Sequence, residues 1–187
     1  LLDAKKYEDA LTYAESARAH WPDNNVLLLA YATTLRLLSR QNDALEAFDE
    51  LVTAEPENGY FLNKLSGFLY DIGRWKEAES YGRRALELAP ESASALNNMG
   101  RIRQQQGDLN GSKILYEKAI TIDPEYADVH NNYGNLLLYT DQIAKAMEHF
   151  DIAIELKPQN QGFRFNRSVT RFTNGEINGA WREHRSR

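Results

Sequence analysis

The sequence predicts an all-α protein built as a solenoid of stacked, antiparallel helix pairs, and two observations carry this prediction. All five prolines lie 34 residues apart, at Pro22, Pro56, Pro90, Pro124 and Pro158. Small and apolar residues also recur at fixed positions relative to each proline, with the spacing of helix faces. A single period that runs through the whole chain predicts a repeat array, in which each unit packs on its neighbours.

The period divides the chain into units of 34 residues in which the proline stands at position 32. We therefore expect residues 1–187 to form one array. It comprises a partial repeat 1–24, four full repeats 25–58, 59–92, 93–126 and 127–160, and a truncated repeat 161–187.

The first helix of each unit is predicted from apolar residues at positions 4, 7 and 11, which lie on one helix face. Position 8, on the same face, always carries a small residue. These residues are Ala32, Ser66, Gly100, Gly134 and Ser168. A small side chain at this place predicts that the partner helix approaches closely.

The second helix follows a turn at position 15, where Gly73, Gly107, Asp141 or Gly175 stands. Position 20 is again small, and positions 24 and 27 continue its apolar stripe. The residues at position 20 are Ala10, Ala44, Ala78, Ser112, Ala146 and Ala180. The proline then ends the helix. One such pair cannot bury its apolar face alone, so neighbouring pairs must stack.

This 34-residue helix–turn–helix pattern resembles the tetratricopeptide repeat (TPR) over the whole chain. The resemblance implies a right-handed superhelix whose first helices line a concave groove. It also implies that the groove binds a protein or an extended peptide and that the array is a scaffold without chemistry of its own.

The candidate binding site lies on the first helices, on the stripe that faces away from the core. Position 6 carries Asn98, Asn132 and Asn166 in three consecutive repeats. A carboxamide has both a donor and an acceptor, so a row of them matches the backbone of an extended peptide. The flanking candidates are Asn63, Asn97, Asn131, Arg101, Asn135, Tyr70 and Tyr139.

The asparagine row is similar to that in the repeat arm of O-linked N-acetylglucosamine transferases, where the resemblance implies a grip on extended substrate peptides. The row stops at Lys64 and Ala30 towards the N-terminus. An alternative is that these asparagines only hydrogen-bond neighbouring helices or turns. The sequence leaves both interpretations open.

The truncated last repeat places arginines where the earlier repeats have apolar residues. Arg164, Arg167 and Arg171 share one helix face at spacings of three and four residues. One interpretation is that the array ends here and this face meets water or an adjoining domain. The other is that the arginines contact an acidic partner or another anion.

Composition limits the other function classes. Residues 1–160 carry 16 Lys and Arg against 25 Asp and Glu, a balance that argues against a nucleic-acid binder. No apolar run is long enough for a membrane helix, and the absence of cysteine excludes thiolate metal sites. Residue spacings provide no phosphate loop, catalytic set or metal-ligand set, so we expect no enzyme activity, cofactor or metal within these residues.

The expected function is thus a protein- or peptide-binding scaffold. Two alternatives remain: a substrate-recognition arm of a larger enzyme such as a glycosyltransferase, or a scaffold that self-associates. The sequence begins and ends within repeats, which predicts further chain or end-to-end association. The lack of cysteine weakly favours a reducing compartment such as the cytoplasm.

Overall fold

The computed structural model describes residues 2–173, and these form ten α-helices without a strand. The helices are α1 (Leu2–His20), α2 (Asn25–Leu37), α3 (Gln41–Ala54), α4 (Gly59–Asp71), α5 (Trp75–Leu88), α6 (Ala93–Gln105), α7 (Leu109–Ile122), α8 (Ala127–Tyr139), α9 (Ile143–Leu156) and α10 (Gln161–Thr173). From α2 onwards, helices of 13 and 14 residues alternate. The predicted all-α class of repeated helix pairs is confirmed.

The chain divides into two compact units, Leu1–Pro90 and Glu91–Arg187. The described helices of the first unit are α1 to α5, and those of the second are α6 to α10. The division falls two residues before the repeat boundary expected at 92/93. Each unit is therefore made of whole helix pairs, apart from its outermost helix.

Each second helix ends two residues before the proline of its repeat. The ends are Ala54, Leu88, Ile122 and Leu156, ahead of Pro56, Pro90, Pro124 and Pro158. Proline disfavours helical backbone at the residue before it, so the helix stops there. The next first helix begins at a side-chain cap in four cases, given by Asn24, Asn58, Ser92 and Asn160.

The turn between paired helices has the left-handed backbone conformation at position 15. Gly73 and Gly107 both have φ +82°, while Ser39 and Asp141 have φ +59°. Glycine adopts this conformation without the Cβ clash that other residues meet. The predicted turns at Gly73, Gly107 and Asp141 are confirmed, and Gly175 lies outside the described residues.

The small residues at position 8 allow the aromatic ring at position 24 to lie against the first helix. A Cβ added to Gly100 would stand 2.5 Å from the Tyr116 ring, and one added to Gly134 would stand 2.7 Å from the Phe150 ring. Position 20 adds a hydrogen bond in one of these pairs, from Ser112 Oγ to the Gly100 carbonyl at 2.8 Å. The helices of a pair thus approach as closely as the sequence predicts.

The core of each unit is formed by the apolar stripes of its first and second helices, which face each other. At positions 20, 24 and 27 the second helices bury Ala44, Phe48 and Leu51 in the first unit and Ala146, Phe150 and Ala153 in the second. Ala127 and Ala153 also form a small cluster with Phe163 of α10. The prediction for Ala180 and the part of the truncated repeat after residue 173 fall outside the described part of the chain.

Candidate functional site

The candidate surface of the second unit lies on its three first helices, α6, α8 and α10. These helices contact one another directly, α6 with α8 and α8 with α10. Their position-6 side chains, Asn98, Asn132 and Asn166, are half-buried, as are Arg101 and Asn135 at position 9. These five side chains are therefore partly accessible to solvent.

Four asparagine side chains of this surface form a continuous series of hydrogen bonds, which we call the amide chain. Asn166 Nδ2 donates to Asn131 Oδ1 at 2.9 Å. Asn131 Nδ2 donates to Asn132 Oδ1 at 3.4 Å. Asn132 Nδ2 donates to Asn97 Oδ1 at 2.9 Å. The position-6 amide of one repeat thus binds the position-5 amide of the preceding repeat.

The inner members of the amide chain are buried. Asn97 is 3% exposed and Asn131 is 9% exposed. Asn97 also hydrogen-bonds the Tyr126 hydroxyl. Burial raises the pKa of Tyr126 and nearby Asp128 adds to this, whereas the charge of Arg101 and the bond to Asn97 act in the opposite direction. The asparagines at position 5 therefore form hydrogen bonds inside the helix packing.

The outer members keep hydrogen-bonding capacity on the accessible side. A carboxamide has two N–H donors and two acceptor lone pairs. Asn132 uses one donor and one lone pair in the amide chain, and Asn166 uses one donor. Both side chains are only half-buried, and the amide chain within residues 2–173 leaves each of them one N–H and oxygen lone pairs that it does not use.

Exposed aromatic residues border the amide chain. Tyr139, at the end of α8, is 73% exposed, and Phe165, beside Asn166, is 67% exposed. Val169 and Phe172 continue the face of Phe165 at spacings of four and three residues, and both are exposed. An apolar strip thus runs along α10 next to the polar row.

The three arginines of the truncated repeat lie on α10, where they reach accessible surface to different degrees. Arg164 and Arg171 are exposed. Arg167 Nε lies 2.6 Å from Asp151 Oδ1 of α9, an ion pair that leaves both side chains partly exposed. One of the three charges is thus balanced by a carboxylate of the neighbouring helix.

The candidates of the first unit lie on α4 and differ in accessibility. Asn63 is 3% exposed, whereas Tyr70 is half-buried. At position 6, Lys64 Nζ stands 5.0 Å from the centre of the Tyr60 ring, a cation–π contact. The surface of α4 is therefore aromatic and cationic where the second unit offers amides.

An open cleft of about 780 Å³ also lies in the first unit, lined by residues 20–26 and by Glu55, Asn58 and Phe61. Glu55 accepts hydrogen bonds from Asn25 Nδ2 at 2.5 Å and Asn58 Nδ2 at 2.7 Å. The bonds from Asn58 and Asn25 lower the pKa of Glu55. Through these two hydrogen bonds, the Glu55 carboxylate links the first residue of α2 to the N-cap residue of α4.

Sequence reasoning missed a pair of histidines in the second unit. One of them is His130 of α8, which is 4% exposed. Its partner is His149 of α9, with the two Nδ1 atoms 2.9 Å apart. The two residues stand 19 positions apart, at a spacing that matches no short motif, and only the antiparallel packing of α8 and α9 brings them together.

Two kinds of feature are not found among residues 2–173. No group of three or more His, Asp or Glu side chains could hold a metal ion in this part of the chain. None of the described helices combines the length and the apolar character that crossing a membrane requires.

Three family models, each described as tetratricopeptide repeat, match residues 1–54, 60–125 and 115–148. The chain belongs to the tetratricopeptide repeat family. Binding of proteins or peptides by a helical scaffold is typical of this family. A search of curated proteins finds no significant match.

Solved structures with the same fold are numerous, and three illustrate the range. The thermophilic TPR protein TTC0263 of Thermus thermophilus is 22% identical with a TM-score of 0.78, and the match covers 91% of this chain and 93% of that one. Cut9, in the Cut9–Hcn1 structure of the APC/C, is 13% identical with a TM-score of 0.82, covering 92% of this chain and 35% of the other. YrrB, described as a TPR protein with an unusual peptide-binding site, is 23% identical with a TM-score of 0.58, covering 90% and 87%.

Proposed function

We propose that the second unit binds an extended peptide along the outward face of α6, α8 and α10. Asn132 and Asn166 hydrogen-bond the peptide backbone, and Asn98 continues the row. The observation that supports this most is the amide chain, because it fixes the orientation of two half-exposed carboxamides and leaves each with a spare donor and acceptor.

The spacing of the row suits an extended ligand. Packed helices lie about 8–10 Å apart, and an extended chain rises about 3.3 Å per residue. Each step from one first helix to the next therefore spans about three peptide residues. A backbone running across the helices meets one fixed amide per step, whatever its side chains are.

The residues around the row give the ligand its side-chain preference. Phe165, Phe172 and Tyr139 offer exposed rings for apolar side chains. Arg164 is exposed, and within residues 161–173 there is no Asp or Glu to balance it. We expect a ligand that combines apolar residues with at least one carboxylate, which Arg164 contacts.

A peptide display library of random 12-residue sequences provides the test, since no ligand has to be known in advance. Peptides selected on the wild-type chain are measured by fluorescence anisotropy against an Asn132→Ala, Asn166→Ala double variant. Each lost hydrogen bond contributes about 0.5–1.5 kcal/mol, so Kd rises about five-fold to a hundred-fold for the pair.

Asn110→Ala is the matched control, because Asn110 is an exposed asparagine on α7, away from the row. Its affinity for the selected peptides stays at the wild-type value. Equal affinities for the double variant and the wild type, with both folded by circular dichroism, would mean that the asparagines serve the helix packing alone.

A further inference from the structure

A second polar feature of α8 is the contact between two imidazoles, His130, which is buried, and His149 of α9, which is half-buried. The rings stack at 5.2 Å between centroids, and the Tyr133 ring stands 4.8 Å from His149. Tyr133 in turn donates from its hydroxyl to Glu117 Oε1 of α7 at 2.7 Å. Three helices thus meet at one titratable pair, which the proposed peptide surface does not use.

The hydrogen bonds assign the protons of the neutral pair. His130 Nε2 lies 2.9 Å from the Pro124 carbonyl, which can only accept, so this nitrogen carries a proton. Nδ1 of neutral His130 then has a lone pair, and it accepts from Nδ1–H of His149 at 2.9 Å. The remaining lone pair of the two rings is on Nε2 of His149.

This arrangement takes up one proton but not two. The first proton binds Nε2 of His149 and leaves the bond between the rings intact. A second proton has to bind Nδ1 of His130, and two N–H groups then face each other at 2.9 Å between two cations. The hydrogen bond that joins α8 to α9 is lost at that point.

We propose that the His130–His149 pair is an acid-sensitive latch, which joins α8 to α9 at neutral pH and opens when both imidazoles are protonated. The latch goes beyond the proposed peptide binding and does not depend on it. Its effect is local, because α8 and α9 form one helix pair of the second unit.

The helices and the turn around the pair carry charged side chains of both signs. Those nearest in the surrounding elements are Glu148 and Lys145 on α9, Glu117 with its ion-pair partner Lys113 on α7, and Asp123 and Glu125 beside Pro124. Burial lowers the pKa of His149, and His130 lowers it further, whereas Glu148 raises it. Desolvation by the packed helices thus outweighs the one carboxylate that favours the charged ring.

The direction in which pH changes the stability depends on how many protons the unfolded and native states bind. Free histidine titrates near about pH 6.5, so the unfolded chain binds two protons at these residues below that pH. The native pair of imidazoles binds only one of these protons. Stability is therefore fully present above about pH 6.5 and falls as the pH drops, by up to about tenfold in the unfolding equilibrium constant per pH unit for each proton that only the unfolded chain binds.

Urea unfolding of the full chain between pH 7.5 and 5.0 tests this, with His149→Gln as the variant. Glutamine can donate to His130 or accept from it, so a protonated His130 keeps a partner. The unfolding equilibrium constant of the variant is expected to change less with pH than that of the wild type. The difference is up to about a factor of ten per pH unit. His20→Gln is the control, since His20 is exposed on α1, and it keeps the wild-type slope.

Long-range ¹H–¹⁵N NMR of the wild-type imidazoles gives a second measurement that needs no variant. At pH 8, with EDTA present, His130 is expected as the Nε2–H tautomer and His149 as the Nδ1–H tautomer. Parallel pH slopes of the wild type and His149→Gln would overturn the latch. So would identical tautomers in both rings, or spectra of the pair that change when EDTA is added, because a bound metal would then bridge the rings.

Discussion

At the scale of single residues, two glycines of the first helices lie directly against an aromatic ring of the paired second helix. Gly100 faces Tyr116 and Gly134 faces Phe150, with no room for a methyl group at either glycine. Where position 24 is Gly82, position 8 carries the larger Ser66, which bonds the Ala78 carbonyl at 2.7 Å. In that repeat, the missing ring at position 24 leaves room for the larger side chain at position 8.

Gly134→Ala is expected to destabilise the protein by about 1–3 kcal/mol, because the new methyl group forces the Phe150 ring or the α8 backbone to move. Measured by urea unfolding, the loss should shrink when Phe150→Leu is added. A double-mutant cycle with no coupling between the two sites would show that the contact is not what limits residue 134.

The sequence allowed these residue-scale contacts to be predicted, and the reason is their periodicity. Position 8 is small in every repeat, which identifies it as a packing position without any knowledge of distance. The His130–His149 bond was not predicted, and the Asn132–Asn97 bond was open only as an alternative without named partners, because each depends on side-chain direction in a particular pair of helices. The repeat period indicates which positions face each other, but it does not indicate which side-chain atoms form hydrogen bonds.

At the scale of helices and turns, each helix pair is closed by one residue in the left-handed conformation. Glycine occupies it at residues 73 and 107, whereas Ser39 and Asp141 adopt it with a side chain at φ +59°. Non-glycine residues meet a steric cost there of about 1 kcal/mol. The α2–α3 and α8–α9 turns are therefore strained relative to the other two.

Asp141→Gly is expected to stabilise the chain by about 0.5–1 kcal/mol, since relief of this strain exceeds the added entropy of the unfolded chain. Thermal unfolding by calorimetry measures the shift. Gly107→Asp is the reciprocal change and should lower stability by a similar amount. A loss of stability in Asp141→Gly would mean that the aspartate makes a stabilising contact in the turn.

The amide chain is also an element-scale feature, because it joins consecutive first helices. Asn97→Ala removes the buried acceptor of Asn132 Nδ2 and should cost about 1–3 kcal/mol. The exposed Asn110→Ala should cost less than about 0.5 kcal/mol. If both variants unfold at the same urea concentration, the amide chain contributes nothing to stability, and the asparagines are kept for the ligand alone.

At the scale of the whole molecule, stability in a repeat array is a sum over neighbouring pairs, so helices with neighbours on one side only are the weakest. In the first unit, α1 buries only Leu11 among its described side chains, whereas α4 buries seven residues. In the second, α10 buries Phe163 and Thr170 and α8 buries eight residues. The inner helix of each unit carries the larger share of its core.

Native-state hydrogen exchange should therefore divide each unit in the same way. Amides of α1 and α10 are expected to exchange through local opening, with free energies well below those of α4 and α8, because fewer buried contacts are broken to expose them. Mass spectrometry of peptic fragments at several denaturant concentrations resolves the four helices within one sample. If α10 is protected as strongly as α8, its apolar and arginine faces are covered in solution, and the surface proposed for peptide binding would then be confined to α6 and α8.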